Sequence, residues 1–244
     1  MSIAGVVAAL GAEARALGPS VKLGDGLLKL GDGMLAAVSG MGLQAAENAA
    51  ERLIHGGVTA LVSWGMAGGL DPALAAGTIC VPHLVIAPDG TTFATDRHWC
   101  ELTTAGIAAR RRVVSGKLFS SSRAIEDVAG KAAAFGKTGA AVVDMESAAV
   151  AKVAAMHSLP FLAVRVIVDT ATDALPDAVV AATGSGGLRL PWLVIGILKS
   201  PGDLAPLLRL ATRYRTAMRA LTAVAASGAL APLAFAAASP SRIV

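Results

Sequence analysis

The sequence predicts an α/β protein of a single domain, with a central mixed β-sheet flanked by helices. Three observations carry that expectation. Apolar runs of strand length alternate along the chain with segments of helical period. The run Phe161 to Val168 is apolar except for Arg165, the pattern of a central strand covered on both faces. The chain has 244 residues, enough for one large domain with a well-buried core.

The elements follow in order. Ile3 to Leu10 reads as a buried first strand. Met34 to Val38 reads as another, ending in the tight turn Ser39-Gly40-Met41-Gly42. Leu43 to His55 is helical, with Gly56-Gly57 as its stop signal. Ala60 to Ser63 forms a strand that enters the glycine turn Gly65-Met66-Ala67-Gly68-Gly69, and Thr78 to Pro82 forms a short one. Ala140 to Val143 is a strand leading straight into a helix, Glu146 to His157, which Leu159-Pro160 ends. Ser200 and Pro201 suit the N-cap and first position of a last helix, where Leu204, Leu207, Leu208, Ala211, Met218 and Leu221 keep helical spacing. Arg209, Arg213, Arg215 and Arg219 fall mostly off that face. The domain is expected over residues 1–226, with an apolar insertion at about 188–203 and an Ala/Pro-rich tail over 227–244.

Composition narrows the function classes. Hydrophobic residues reach 55%, but alanine and glycine dominate, so the chain is rich in small residues rather than lipid-like throughout. Cys80 and Cys100 make neither a disulfide framework nor a metal-ligand spacing, so no metal is expected and the thiols read as reduced and cytoplasmic. The net charge is +4, and no aromatic residues interleave with Arg110 to Arg112. That run reads as a solvated loop and not as a nucleic-acid surface. The first charged residue is Glu13, so the apolar start lacks the basic n-region of a signal peptide. Residues 220–241 carry no charge, but Gly228, Pro232 and several Ser and Thr interrupt them. A peripheral tail is expected there and not a membrane span.

Three carboxylates close or follow apolar strands: Glu13, Glu146 and Asp169. Each alone reads better as a helix N-terminal cap. Together, with Arg165 and the glycine turn, they read as one site, because open α/β sheets gather ligands outside the carboxyl ends of their strands. Parts of this kind suit cleavage of a glycosidic bond. A carboxylate near a sugar stabilises developing positive charge. A carboxylic acid can protonate a leaving base. A glycine-rich turn lets backbone approach an anion or sugar closely.

Several motifs resemble a known family. Gly65-Met66-Ala67-Gly68-Gly69-Leu70-Asp71-Pro72, followed by Gly77-Thr78, resembles the glycine-rich signature of nucleoside phosphorylases and of methylthioadenosine/S-adenosylhomocysteine nucleosidases. Val143-Asp144-Met145-Glu146-Ser147-Ala148-Ala149 resembles their ribose-binding motif. Arg165-Val166-Ile167-Val168-Asp169 resembles their Arg-x-x-Ser-Asp motif, with Val168 in the serine position, and Ala8 to Glu13 resembles their first strand and glutamate. The resemblance implies a nucleoside phosphorylase-like fold and a homo-oligomer, a dimer above all. It implies that Asp169 protonates or hydrogen-bonds N7 of the base, that Glu146 binds ribose hydroxyls over Met145, and that Glu13 is a base activating water. Gly68 and Arg165 would join Met66 in binding substrate. Met66 replaces a serine found near the nucleophile in many members, which leaves phosphate as a co-substrate and water as alternatives. No other cofactor is implied.

The segment Leu188 to Leu204 resembles the hopanoid-associated phosphorylase branch of that family. The resemblance implies release of adenine from adenosylhopane, leaving a ribosyl or phosphoribosyl hopanoid. Trp192, Leu193, Ile195 and Ile197 would then contact lipid, with the protein cytoplasmic and peripheral at the inner membrane surface. A buried helix or a dimer contact explains the same four residues. Two readings compete with the lipid-linked one: hydrolysis of methylthioadenosine or S-adenosylhomocysteine, and a non-catalytic lipid-binding α/β module whose carboxylates are caps.

Overall fold

β5 (Ala60–Gly69) and β12 (Phe161–Asp169) run parallel at the centre of the sheet, paired from Phe161 opposite Leu61 to Asp169 opposite Gly68. The computed structural model describes residues 2–31, 33–108, 111–174 and 204–230, without the side chains of residues 204–208. Ahead of β5 come β1 (Ala4–Ala8), α1 (Gly11–Ala16), the hairpin β2 (Val21–Lys22) and β3 (Leu27–Leu30), β4 (Met34–Val38) and α2 (Leu43–His55). Between β5 and β12 lie β6 (Ile79–Cys80), β7 (Leu84–Ile86), β8 (Thr92–Ala94), α3 (Arg97–Ala108), β9 (Val113–Val114), β10 (Lys117–Ser120), α4 (Val128–Thr138), β11 (Val142–Asp144) and α5 (Ser147–Met156). After β12, the described chain ends with α6 (Leu204–Ala226) and a short turn.

Among the described residues the sheet has 12 strands, in the order β2-β3-β4-β1-β5-β11-β10-β7-β8, with β12, β6 and β9 branching from β5. β1 pairs parallel with both β4 and β5. β11 pairs antiparallel with the last residues of β5, and the β2–β3–β4 and β7–β8 pairs are also antiparallel. The sheet is therefore mixed, as expected. Side chains of β12 alternate between two cores, as the two-residue period of a strand requires. Leu162, Val164 and Val166 join Trp64, Trp99, Leu221 and Val224 on one face. Phe161, Ala163 and Ile167 join Leu53, Val150 and Val153 on the other. A strand covered on both faces has no polar side to show, which is why Phe161 to Val168 reads as an apolar run broken only by Arg165.

The strand Met34–Val38 and the helix Leu43–His55 fall where the sequence puts them. The glycine segment does not. Gly65 to Gly69 belongs to β5 and is strand, not turn. Its glycines serve close approach inside the sheet. Gly65 has φ +152°, and a methyl group there would lie 2.6 Å from Glu13 Oε1. A methyl on Gly68 would lie 3.2 Å from both Asp169 Oδ2 and Val143 Cγ1.

The strands β7, β8, β9 and β10 give no signal in the sequence, because they are two to four residues long and carry no clear period. Ser200, Pro201, the insertion at about 188–203 with Trp192, Leu193, Ile195 and Ile197, and the tail beyond residue 230 lie outside the described residues. Among the described residues no helix is long and apolar enough to cross a membrane.

Candidate active site

β1, β5, β11 and β12 deliver their C-terminal ends, or the first turns after them, to one region of the sheet. Glu13 stands in the first turn of α1 and is buried. Its Oε2 accepts the Leu10 N–H at 2.9 Å, closing the helix start from within. Its Oε1 accepts the Met66 N–H of β5 at 2.8 Å. The Trp64 indole donates to the Glu13 carbonyl at 3.0 Å, which fixes the backbone of the same residue. Burial pushes the Glu13 carboxyl above its ordinary range, against the opposing pull of the Met66 N–H and Arg165.

Glu146 follows β11 and immediately precedes α5. Its side chain does not cap that helix. Instead Oε1 accepts the Gly42 N–H at 2.8 Å, so the turn after β4 reaches across to it. Oε2 accepts the Met145 N–H at 3.2 Å, and Met145 itself is half-buried. Burial, with the Asp144 charge beside it, pushes Glu146 up to about 7, while Arg165 and the Gly42 N–H pull the other way.

The capping role falls to Asp144, which the sequence reading passed over. Its two oxygens accept the Ser147 N–H at 3.3 and 3.1 Å. Oδ1 also accepts the Ser120 hydroxyl at 2.6 Å. Oδ2 meets the Arg165 guanidinium, Nε at 2.8 Å and Nη2 at 2.7 Å. Arg165 further donates to the Ser63 hydroxyl at 2.6 Å, the Ser147 hydroxyl at 3.1 Å and the Val164 carbonyl at 3.4 Å. Arg165 is thus engaged beneath the carboxylates by protein groups, although its field reaches Glu13 and Glu146. An Asp two or three residues before a helix start is the signal that marks such a residue.

Asp169 ends β12 and is buried. The register slips between Ile167 and Asp169, so Val168 is left over as a bulge. That slip puts Asp169 opposite Gly68. Burial raises the Asp169 carboxyl above its ordinary range, and Lys131 of α4 works against that rise. Lys131 is fully buried and ion-paired with Asp169 Oδ2. The sequence reading missed it. Its mark was present: Lys131, Ala134, Phe135 and Thr138 form an i, i+3, i+4, i+7 face with a charge at its head. Tyr214 of α6, half-buried, lies in the field of Glu13, so α6 borders the same region.

The site therefore gathers three buried carboxylates, Glu13, Glu146 and Asp169, on backbone N–H groups and one lysine. Met66 offers it a backbone N–H and Gly68 a floor without a side chain. Among the described residues no group of three or more His, Cys, Asp or Glu side chains is arranged to hold a metal ion.

A family model described as the phosphorylase superfamily matches residues 26–185, more than half of the chain. The chain belongs to the phosphorylase superfamily. It is an enzyme of that superfamily, and membership accords with the expected action on N-glycosidic bonds of nucleosides. No curated protein sequence matches the chain. Solved structures share its fold. The futalosine hydrolase of Helicobacter pylori is 15% identical, with a TM-score of 0.70 over 93% of this chain and 96% of that one. The 5′-methylthioadenosine/S-adenosylhomocysteine nucleosidase of Neisseria meningitidis, solved with methylthio-immucillin-A, is 20% identical, with a TM-score of 0.66 over 92% and 99%. The corresponding nucleosidase of Colwellia psychrerythraea, solved with adenine, is 21% identical, with a TM-score of 0.69 over 94% and 96%.

Two outcomes follow for this superfamily site. Replacing Asp144 with Ala leaves Arg165 buried without its counter-charge, which should cost about 3–5 kcal/mol. Chemical denaturation reads this directly, and a loss below about 1 kcal/mol would show that the pair carries little of the fold. The second concerns pH. Glu146 binds its proton more tightly folded than unfolded, so its contribution favours the fold at low pH. It is lost as pH rises from the ordinary value of 4.5 through about 7. The stability of the wild type minus that of Glu146→Gln should fall across that window, and a pH-independent difference would contradict the burial account.

Proposed function

We propose that the protein cleaves the N-glycosidic bond of an adenine nucleoside, with Asp169 as the acid toward the base, Glu146 as the ribose ligand and Glu13 as the base that activates water. The observation that carries this reading is the gathering of three buried carboxylates, all raised above their ordinary pKa by burial, around the central strand β5. An acid or base works best when its pKa lies near the working pH. A carboxylate on the ribose side opposes the positive charge that develops on the sugar as the bond breaks. The proton from Asp169 goes to N7, so the base leaves neutral. Glu13 accepts the proton of the attacking water.

The choice of water over phosphate is supported by the engagement of Arg165. Its guanidinium, the cation whose field reaches Glu13 and Glu146, donates to Asp144, Ser63, Ser147 and Val164. A phosphate nucleophile needs donors of that kind. The 5′ substituent is a hydrophobic group, with adenosylhopane as the substrate suggested by the resemblance of Leu188 to Leu204. Trp192, Leu193, Ile195 and Ile197 then line the entrance for that group and touch the membrane surface. Solved relatives of the fold carry methylthio-immucillin-A and adenine, which supports a nucleoside ligand with an adenine-type base.

The test is free adenine released from adenosine, 5′-methylthioadenosine and a lipid-linked adenosine, each with and without inorganic phosphate. Release without phosphate, greatest for the lipid-linked compound, is the expected result. Strict dependence on phosphate overturns the role of Glu13, and no release from any of the three overturns the adenine-nucleoside reading of the site. Asp169→Asn should lower turnover about 10²- to 10⁴-fold, the usual contribution of an acid, while the fold survives. Near-normal turnover by the folded variant removes Asp169 from the chemistry. Glu146→Gln should harm ribosides far more than 2′-deoxyribosides, because a hydrogen bond to a charged partner is worth about 1.5–3 kcal/mol. Equal losses on both assign Glu146 another role.

A further inference from the structure

A fully buried lysine needs a reason, since an ammonium group taken from water must be repaid by charge and hydrogen bonds. Lys131 is the residue that α4 buries. Its Nζ pairs with Asp169 Oδ2 and donates to the carbonyls of Thr170 and Asp173, each at 2.9 Å. An ammonium has three N–H groups, and these three acceptors match them. All three belong to one short stretch, residues 169–173. The same stretch is tied from its other side, where Asp173 accepts the Thr170 N–H at 2.8 Å and pairs with Arg213 of α6.

We infer that Lys131 is a positioning residue for Asp169, clamping one carboxylate oxygen and the turn behind it so that the other oxygen is left to meet the base. The inference rests on the assignment of Asp169 as the acid. It goes beyond that assignment by naming what orients the acid and what sets its readiness to release a proton. Among the described residues the groups facing Asp169 are few. From α4 comes Lys131, and from the turn Asp173, whose charge is partnered by Arg213. From β5 comes Gly68, which carries no charge, with Val143 of β11 beside it. Burial and Asp173 favour the protonated carboxyl, and Lys131 opposes them. Without the ammonium, burial acts unopposed, and Asp169 holds its proton to higher pH.

The test is the pH profile of kcat/KM for adenine release from 5′-methylthioadenosine by wild type, Lys131→Met, Lys131→Gln and Asp169→Asn. An acid that must be protonated gives a limb that falls as pH rises through its pKa. An opposite charge at contact distance lowers a carboxyl pKa by about 1–3 units. Both lysine variants should therefore move the falling limb upward by about one pH unit or more. Their plateau should drop on the order of 10- to 100-fold, because the acid is no longer held in place. Lys131→Gln keeps a donor for the carbonyls and guards against failure of Lys131→Met to fold. A purely structural lysine gives lower stability and rate with the limb unmoved, and that result overturns the inference. A second readout is the double variant Asp169→Asn/Lys131→Gln. If the lysine acts through Asp169, the double variant turns over as slowly as Asp169→Asn and no slower. A further multiplicative loss overturns the inference. Near-normal turnover by Asp169→Asn alone overturns instead the assignment of the acid, so the two failures are distinguishable.

Discussion

The buried pair of Asp144 and Arg165 is the constraint around which the site is organised. Arg165 lies in β12 and Asp144 ends β11, two strands that do not pair with each other but both pair with β5. Their side chains meet with 2% and 1% of their surface exposed. Two charges removed from water at that depth gain little unless every remaining donor and acceptor is met. Here Ser63 supplies an oxygen from β5, Ser120 a hydroxyl from β10 and Ser147 a hydroxyl and an N–H from α5. The Ser147 hydroxyl lies 3.0 Å from that of Ser63, and Ser120 accepts the Ala148 N–H at 2.9 Å. Four strands and one helix are thereby fixed in mutual position by a single polar knot. The Glu146 backbone follows directly from Asp144, so its place is set by the same knot.

A second constraint is closeness. Glycine at positions 65 and 68 lets the Glu13 and Asp169 carboxylates lie against the backbone of β5, where a methyl group would intrude. Elsewhere the same need is met by alanine. α2 buries Ala46, Ala49 and Ala50, and α5 buries Ala148, Ala149, Ala151 and Ala154, so these two helices and the sheet behind them approach closely. The high apolar fraction of the sequence is in this part a device for thin packing. It gives small side chains to the core and leaves the polar groups at the strand ends to define the site.

Much of the fold was legible because two local signals were clear. The stop signal Gly56-Gly57 after Leu43 to His55 marked α2, and the apolar run broken only by Arg165 marked β12 as the doubly covered strand. The three carboxylates were legible because each follows an apolar run. What escaped has identifiable causes. Gly65 to Gly69 looks like a turn by composition, since nothing local reveals that β12 and β11 hold it extended. Asp144 was hidden behind its neighbour Glu146, because two acids close together at a helix start offer the same cap. Lys131 was hidden because a lysine in an alanine-rich helix reads as solvated. Only the tertiary pairing with a residue 38 positions away gives it a reason to be inside.

The choice between cap and chemistry, posed for each carboxylate in turn, resolves differently at each. At Asp144 the cap is the role, and the charge is consumed by Arg165. At Glu146 the cap is absent, and both oxygens rest on backbone N–H groups of the chain around Gly42 and Met145. At Glu13 the two roles coincide, because one oxygen closes α1 and the other reaches β5. A carboxylate held by two N–H groups is oriented without being neutralised, since an N–H carries no full charge. Of Glu13, Glu146 and Asp169, it is Asp169 that is ion-paired with a cation, Lys131. That difference has a chemical consequence. A group that must only orient or accept gains from neutral donors, whereas a group that must give up a proton gains from a nearby positive charge that weakens its hold. The arrangement of partners thus separates Asp169, the proposed acid, from Glu13 and Glu146, although burial acts on all three in the same direction.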